Sequence, residues 1–255
     1  MSLDILNIDD LVKTQFPTPD NIRMNDVLSP QHDAERGSFR MLISGRSGCG
    51  KTNLVLSLIF QGQITWDHIY LYVKSPDQPK YQLLLRFLNS LQDAYEAQYK
   101  RPIALYTLIT QVDEILPVDE IPSNRCNLVI FDDLLTVKDQ KPIEEYFIRG
   151  RHRRCDCIYI SQSYHSTPII IRKNCDYFAI FSPSSKGEFD VLKKEHRPVN
   201  DSTTLFADMF QSATKDPNSF LLIDKRTQIE LLKYRKNFNH YYNPDEKSWI
   251  KIVLD

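Results

Sequence analysis

Glycine is scarce in this sequence, and long apolar runs are absent. Seven of the 255 residues are glycine, and no stretch approaches the roughly 18 consecutive apolar residues that a transmembrane helix needs. The N-terminus, Met1-Ser-Leu-Asp, has neither the charged region nor the apolar core of a secretory signal. From these absences we expect no membrane span and no secretion.

The cysteines and the net charge exclude further classes. The five cysteines are an odd number, and none stands in a C-x-x-C pair, so a disulfide framework is not expected. Cys155 and Cys157 lie near His152, but two cysteines two residues apart on a strand share one face, which favours burial over zinc binding. Because the net charge is −1, any surface for nucleic acid must be a local basic patch.

Three of the seven glycines stand within one segment, Gly45 to Thr52. The segment fits every fixed position of the phosphate-binding loop G-x-x-x-x-G-K-[ST], between an apolar run at 39–44 and a helical pattern at 53–60. Backbone N–H groups of such a loop converge on phosphate oxygens at the positive end of a helix. Lys51 is expected to reach the β- and γ-phosphates, and Thr52 to bind Mg²⁺. The sequence thus predicts a nucleoside triphosphate site with the candidate residues Gly45, Arg46, Ser47, Gly48, Cys49, Gly50, Lys51 and Thr52.

The chain divides into three predicted parts. Residues 1–36 contain three prolines and no sustained hydrophobic period, so we expect an extended arm. Residues 37–182 alternate strand and helix patterns, which predicts an α/β nucleotide-binding core with a mostly parallel sheet and helices on both faces. Residues 183–255 are expected to complete the same domain with helices and a β-hairpin.

Hydrophobic periodicity predicts the individual elements. Strands are expected at 39–44, 69–73, 103–106, 127–131, 156–161 and 176–181, and helices at 53–60, 80–98, 142–148, 188–195 and 204–213. The strand at 103–106 has the weakest pattern of these. The C-terminal hairpin is expected to pair residues 220–224 with residues 229–234.

Two aspartates follow the strand predicted at 127–131. A buried strand that ends in a carboxylate, downstream of a phosphate-binding loop, has the form of a Walker B element, so Asp132 is expected to hold Mg²⁺ opposite Thr52. In the additional-strand class of P-loop ATPases the next acidic residue activates the attacking water. Asp133 takes that position here, although many members carry glutamate. Gln162 ends the next buried strand, where open α/β sheets present ligands, and is expected to contact the γ-phosphate or to orient the water.

A basic segment lies between these two strands, and it contains Arg149, Arg151, Arg153 and Arg154. The four guanidinium groups cannot all be buried without partners. One interpretation is an arginine finger supplied to a neighbouring subunit, with Arg151 or Arg154 as the candidate. The others are contact with nucleic-acid phosphates and a solvated basic loop.

Taken together, these motifs resemble a known family. Their order and spacing are similar to those of the genome-packaging ATPases of large double-stranded DNA viruses, which include poxviruses, giant viruses and virophages and are relatives of the FtsK–HerA DNA pumps. The resemblance covers roughly residues 39–181. The segments that carry it are Gly45–Thr52, Val129–Asp133, Gly150–Arg153, Ile160–Tyr164 and Ile171–Asn174.

The resemblance implies a P-loop NTPase of the additional-strand, RecA-like type, with ATP and Mg²⁺ as cofactors. It also implies a homo-oligomeric ring, pentameric or hexameric, that docks at a capsid vertex or portal and translocates double-stranded DNA into a preformed capsid. Such a protein would be found in the virion or in a viral factory of the host cytoplasm. In the family, the sensor glutamine and the trans-acting arginine occupy the positions of Gln162 and of the cluster Arg149–Arg154.

Other functions stay open on the residues alone. A small-molecule kinase also uses a P-loop, and Arg149–Arg154 could close over its transferred phosphate as a lid. A DNA-binding ATPase or an assembly factor would also have a nucleotide site, but it would not translocate DNA. A GTPase is disfavoured, because no [NT]-K-x-D motif occurs and residues 132–136 lack the glycine of a D-x-x-G switch.

Overall fold

A mixed β-sheet organises the computed structural model of the protein, which describes residues 38–198 and 204–251. Its ten strands are β1 (Arg40–Ser44), β2 (His68–Val73), β3 (Tyr106–Ile109), β4 (Asn127–Asp132), β5 (Cys155–Ser161), β6 (Tyr177–Ile180), β7 (Leu221–Asp224), β8 (Tyr234–Lys236), β9 (His240–Asn243) and β10 (Ser248–Lys251). The helices of the described ranges are α1 (Lys51–Phe60), α2 (Pro79–Tyr99), α3 (Lys141–Arg149), α4 (Ile169–Asn174), α5 (Lys186–His196) and α6 (Leu205–Ala213). The arm predicted at residues 1–36 lies outside the described residues.

The strand order confirms the predicted fold class. Across the sheet the strands run β10-β9-β8-β7-β6-β1-β5-β4-β2-β3. Neighbours from β6 to β3 are parallel, and neighbours from β6 to β10 are antiparallel. Strand β5 is the additional strand, because it lies between β1, which precedes the phosphate-binding loop, and β4, which precedes the two aspartates. The carboxyl ends of β1, β5 and β4 therefore meet at one edge of the sheet.

Helices cover both faces of the sheet, as predicted. Strand β2 is buried along its whole length, and a strand of a parallel sheet reads as a continuous apolar run when both of its faces are covered. One core layer packs α1 and α2 against side chains such as Ile43 and Leu71. The other packs α3, α4, α5 and α6 against side chains such as Leu42 and Tyr72.

The predicted strand at 103–106 is wrong, because the strand here is β3, at Tyr106–Ile109. The register pairs Ile69 with Tyr106, so the ladder begins where the prediction ends. The backbone N–H groups just before it are used differently. That of Ile103 donates to Glu96, and that of Leu105 donates to Gln92, both on α2. Side chains of a helix thus hold this segment.

The predicted hairpin is right in its first strand and wrong in its second. Strand β7 pairs with β8, in the register Leu221 to Lys236, whereas Glu230–Leu232 form a short 3-10 turn. The chain turns directly after β7, because the Asp224 carboxylate accepts the backbone N–H groups of Arg226 and Thr227.

The C-terminal part contains more structure than one hairpin. Strands β9 and β10 continue the antiparallel side of the sheet, and periodicity did not predict them. Helix α4 was also missed. Strands from before and after residue 182 belong to the same sheet. The predicted boundary between the parts 37–182 and 183–255 stays a prediction.

The predicted burial of Cys155 and Cys157 on one face is confirmed. All five cysteines are free thiols. Cys155 and Cys157 are buried in the same core layer, as their spacing on a strand requires. Residues 38–198 and 204–251 contain no group of three or more acidic, histidine or cysteine residues that could hold a metal ion by themselves. Nor does any helix in these ranges have the length and apolarity to cross a membrane.

Candidate nucleotide-binding and catalytic site

The loop between β1 and α1 has a backbone that only glycine fits. Gly48 and Gly50 have φ angles of 77° and 104°, a region that disfavours side chains. A Cβ atom on Gly50 would lie 3.0 Å from the side-chain oxygen of Asn218, and a Cβ on Gly45 would lie 2.6 Å from the Cβ of Phe181. The loop is therefore held closely on one side while its outer residues, Arg46 and Ser47 among them, are exposed.

Lys51 begins α1, and its ammonium group lies inside the loop. It donates hydrogen bonds to the carbonyl oxygens of Gly45, at 2.7 Å, and Arg46, at 2.9 Å. An ammonium has three donors, so one remains for a further acceptor. Only 8% of Lys51 is exposed. The charge thus lies at the positive end of α1, where anions are favoured. Cys49 is half-buried, and burial raises the pKa of its thiol.

Thr52 and Asp132 approach each other through a third side chain. The hydroxyl of Tyr81 donates a hydrogen bond to Oδ2 of Asp132 and also interacts with the side chain of Thr52. Burial raises the pKa of Asp132 above its ordinary value, while the bond from Tyr81 acts in the opposite direction. The two predicted magnesium ligands are therefore neighbours, and both are oxygen donors of the kind that Mg²⁺ prefers.

Asp133 and Gln162 also meet at this edge. The side-chain amide of Gln162 donates to Oδ1 of Asp133 at 3.2 Å, and both side chains are exposed. Asp133 has a φ of 58°, which is a left-handed conformation that aspartate tolerates better than most residues. Such outliers cluster at functional sites. The carboxylate and the amide thus face solvent together beside the phosphate-binding loop.

The arginine cluster lies at the opposite edge of the sheet. It precedes β5, whereas Gln162 follows this strand, and the seven residues of β5 span about 20 Å at about 3.3 Å per residue. The interpretation of Arg149–Arg154 as a lid over the phosphates of the same chain is therefore wrong. A finger for another subunit stays a prediction.

The four arginines differ in their partners. Arg149 is paired with Glu145 and with Asp119, the latter at 2.7 Å. Arg153 lies 3.7 Å from Asp119, and Arg154 donates to the sulfur of Cys126 at 3.0 Å. The exposed side chain of Arg151 has no partner among the residues that the structure describes. Of the two candidates for the finger, Arg151 and Arg154, only Arg154 has a side-chain partner among the described residues.

Sequence analysis missed Tyr81 and Asn218. Tyr81 lies in a helix whose apolar spacing was attributed to the core, and it is 51 residues from Asp132. Asn218 follows α6 and has a positive φ of 61°. No motif marks either position, because each reaches the site only through the packing of the sheet.

Comparison with known proteins gives a consistent family. A family model described as Poxvirus A32 protein matches residues 31–230. A DNA packaging protein of monkeypox virus, OPG160, is 30% identical over 185 residues, which are 68% of this chain and 58% of that protein. The vaccinia virus (strain Copenhagen) protein of the same name is 27% identical over 159 residues, or 61% of this chain and 57% of the relative. The chain thus spans less than two thirds of the length of these relatives.

Solved structures show the same fold. The DNA-packaging ATPase B204 of Sulfolobus turreted icosahedral virus superposes with a TM-score of 0.52, at 16% identity, over 79% of this chain and 98% of B204. The genome packaging NTPase B204 of Sulfolobus turreted icosahedral virus 2, in complex with AMP, gives a TM-score of 0.50 at 13% identity, over 78% and 96% of the two chains. At such identities the likeness establishes the fold of this chain.

Proposed function

Because the chain belongs to the Poxvirus A32 protein family, we propose that it hydrolyses ATP to move double-stranded DNA into a preformed viral capsid. The similar proteins of monkeypox and vaccinia virus are named DNA packaging proteins. One observation carries the proposal. Lys51, the pair Asp132 and Asp133, and Gln162 come from three different strand ends and lie around one phosphate-binding loop.

The residues of the site divide the work of hydrolysis. Lys51 and the N–H groups of Gly45–Thr52 hold the phosphates of ATP, since the ammonium has a donor left and the loop lies at a helix N-terminus. Asp133 accepts a proton from the attacking water, and Gln162, which contacts it, orients that water. Asp133 is suited to this role because it is exposed.

Thr52 and Asp132 form the side of the site that fits Mg²⁺. Magnesium usually takes one or two carboxylates together with substrate phosphates and water, and this donor set supplies one hydroxyl and one carboxylate. When bound, the ion neutralises charge that develops on the phosphate oxygens. Asp132 is partly buried and this burial raises its pKa, so its charge acts in a medium of lower dielectric constant than water.

Assembly into a ring of five or six subunits completes the site. Arg151 of one subunit stabilises the transferring phosphoryl group in the site of its neighbour. The ring docks at a capsid vertex or portal and acts in the virion or in a viral factory of the host cytoplasm. Since an arginine finger contributes about 10³–10⁵ in rate, an isolated subunit should be a poor ATPase.

The test is steady-state ATP hydrolysis measured over a range of protein concentrations, with and without double-stranded DNA. We expect turnover per subunit to rise with protein concentration and with DNA, and to be lost in Lys51→Ala. Turnover that ignores both variables would contradict the motor. Hydrolysis that needs assembly but not DNA would indicate an assembly factor, and phosphate transfer to an added small molecule in place of water would indicate a kinase.

A further inference from the structure

Tyr81 has a ring and a hydroxyl group in different environments. Its ring belongs to the core layer that α1 and α2 form on the sheet, and only 2% of the residue is exposed. Its hydroxyl lies at the edge of the sheet, because Tyr81 is in the first turn of α2. That helix follows β2, and Val73, at the end of β2, pairs with Asp132.

The hydroxyl contacts both residues that the proposed function assigns to Mg²⁺. It donates to Oδ2 of Asp132 and interacts with the side chain of Thr52. A tyrosine hydroxyl is both a donor and an acceptor, so it can accept from Thr52 while it donates to the carboxylate. This one group therefore joins α1, β4 and α2 at the metal side of the site.

Core packing does not explain why the residue is tyrosine. Phenylalanine would fill the same space in the apolar layer and would leave no buried hydroxyl in need of a partner. Among the residues that the structure describes, the hydroxyl donates to Asp132 and interacts with Thr52. What distinguishes tyrosine from phenylalanine at this position is thus an interaction with the magnesium ligands.

We propose that Tyr81 is a positioning residue for the metal site, whose hydroxyl holds the Asp132 carboxylate and the Thr52 hydroxyl in the arrangement that receives Mg²⁺. The inference rests on the proposed nucleotide function. An ionised carboxylate has about four acceptor sites. One bond from Tyr81 fixes its orientation and still leaves sites for the ion or its bound water. Partners of this kind typically contribute 10–100-fold in metal affinity.

The experiment compares Tyr81→Phe with the unmodified chain in nucleotide binding rather than in turnover. Affinity for a fluorescent ATP analogue is measured by titration in excess EDTA and at a series of Mg²⁺ concentrations. We expect the affinity in EDTA to stay unchanged, because Lys51 and the loop are intact. The Mg²⁺ concentration that gives half of the magnesium-dependent gain in affinity should rise about 10-fold or more.

Tyr72→Phe is the matched control. Tyr72 is also a buried tyrosine, but its hydroxyl lies 3.2 Å from that of Tyr146 on the other face of the sheet. This variant should bind Mg²⁺ and nucleotide as the unmodified chain does, and thermal unfolding should show that both variants are folded.

Four results would overturn the inference. The magnesium dependence of Tyr81→Phe could equal that of the unmodified chain, or its affinity could fall equally with and without Mg²⁺, which indicates a structural role. Tighter magnesium binding in the variant would mean that the hydroxyl competes with the ion. If the unmodified chain itself bound no nucleotide, the proposed function would fail together with this inference. If the unmodified chain bound nucleotide with a magnesium dependence and Tyr81→Phe showed the same dependence, only this inference would fail and the proposed function would stand.

Discussion

Asp132 and Asp133 are adjacent in the chain, but the fold gives their carboxylates different environments. Asp132 ends β4 pointing into the site, where burial raises its pKa and Tyr81 donates to it. Asp133 leaves the strand with a φ of 58° and an exposed side chain that contacts Gln162. The first carboxylate is placed to hold an ion, and the second is placed to reach a water molecule.

Replacement of Asp133 by asparagine should separate binding from hydrolysis. Asparagine tolerates the left-handed backbone conformation and preserves the shape of the side chain, but it cannot accept the proton of the attacking water. We expect single-turnover ATP hydrolysis to fall by about 10²–10⁴, the usual contribution of a general base, with the affinity for Mg²⁺·ATP nearly unchanged. Asp93→Asn, on the exposed face of α2, is the control. Undiminished hydrolysis in Asp133→Asn would exclude it as the base.

A buried ion pair joins β7 to β8. Asp224 and Arg235 are each only 3% exposed in their side chains, and the Asp224 carboxylate also accepts two N–H groups of the following turn. Removal of one partner leaves the other charge buried and unpaired. The loss of one partner of this pair should therefore cost more stability than the loss of one partner of an exposed pair.

We expect Asp224→Asn to lower the free energy of unfolding by about 3–5 kcal/mol, measured by urea denaturation. Asp216→Asn is the comparison, because Asp216 is paired with Lys236 of the same strand, β8, but is exposed. An exposed pair gains little against solvation and side-chain entropy, so this variant should unfold at nearly the same urea concentration as the unmodified chain. Equal losses in the two variants would contradict the argument.

The loop after β5 is bound to the end of α5 through a partly buried polar network. The Tyr164 hydroxyl lies 2.6 Å from Oε2 of Glu195 and 2.7 Å from Nε2 of His196. Arg172 of α4 lies 3.2 Å from Glu195. The Tyr164 hydroxyl can accept a hydrogen bond from a neutral His196 while it donates one to Glu195. Gln162 lies at the start of this loop, so the network supports the position of the predicted sensor.

The network should make stability depend on pH below neutrality. Burial, together with the nearby cations Lys225, Arg172 and Lys233, lowers the pKa of His196 from 6.5 to about 3. In that interval the unfolded chain binds a proton at this histidine and the folded chain does not, so acid favours unfolding. Since one pKa unit corresponds to about 1.36 kcal/mol, we expect a loss on the order of a few kcal/mol by about pH 4.

Urea denaturation at several pH values checks this expectation. His196→Gln keeps a hydrogen-bonding side chain but cannot titrate, so its stability should fall less steeply between about pH 6.5 and pH 4 than that of the unmodified chain. The variant is expected to be less stable than the unmodified chain already at pH 7. The test is therefore the change of stability with pH and not the stability at any one pH. Parallel slopes for the two proteins would show that His196 does not contribute.

At the scale of the molecule, the nucleotide site and the arginine cluster lie on opposite edges of the sheet. One strand length, about 20 Å, separates them in the same chain. An arginine of this cluster can therefore act on the phosphates only in the site of another subunit, as the proposed ring requires. Arg151, with no partner among the described residues, is free to do so, whereas Arg149 is held by Glu145 and Asp119.

Mixed assemblies test the assignment. Arg151→Ala and Lys51→Ala should each reduce turnover by about 10³ or more, and a mixture of the two should recover part of it. In the mixture, an intact Lys51 site can meet an intact Arg151 from its neighbour. Arg149→Ala should keep most of its turnover, because this side chain is committed to its own acids. A mixture that stays inactive would count against Arg151 as the finger.

The sequence by itself determined the fold class and which residues form the candidate nucleotide site. A phosphate-binding loop is a contiguous segment, and a strand that ends in two aspartates or in a glutamine is a local pattern. The parallel connection of such strands then brings their ends to one edge. For this reason Lys51, Asp132, Asp133 and Gln162 could be named in advance, although their catalytic roles stay predictions. The strand predicted at 156–161 is β5, but its place between β1 and β4 is known only from the structure.

Only the tertiary structure decided which other residues join that edge. Tyr81 and Asn218 reach the phosphate-binding loop through packing between elements that are distant in sequence. The arginine cluster lies one length of β5 away from that loop. The partner of β7 is set by the contacts of Asp224, and the start of β3 by the side chains of α2. Each of these depends on atoms far apart in the chain, whose proximity follows from the strand order and from no local period.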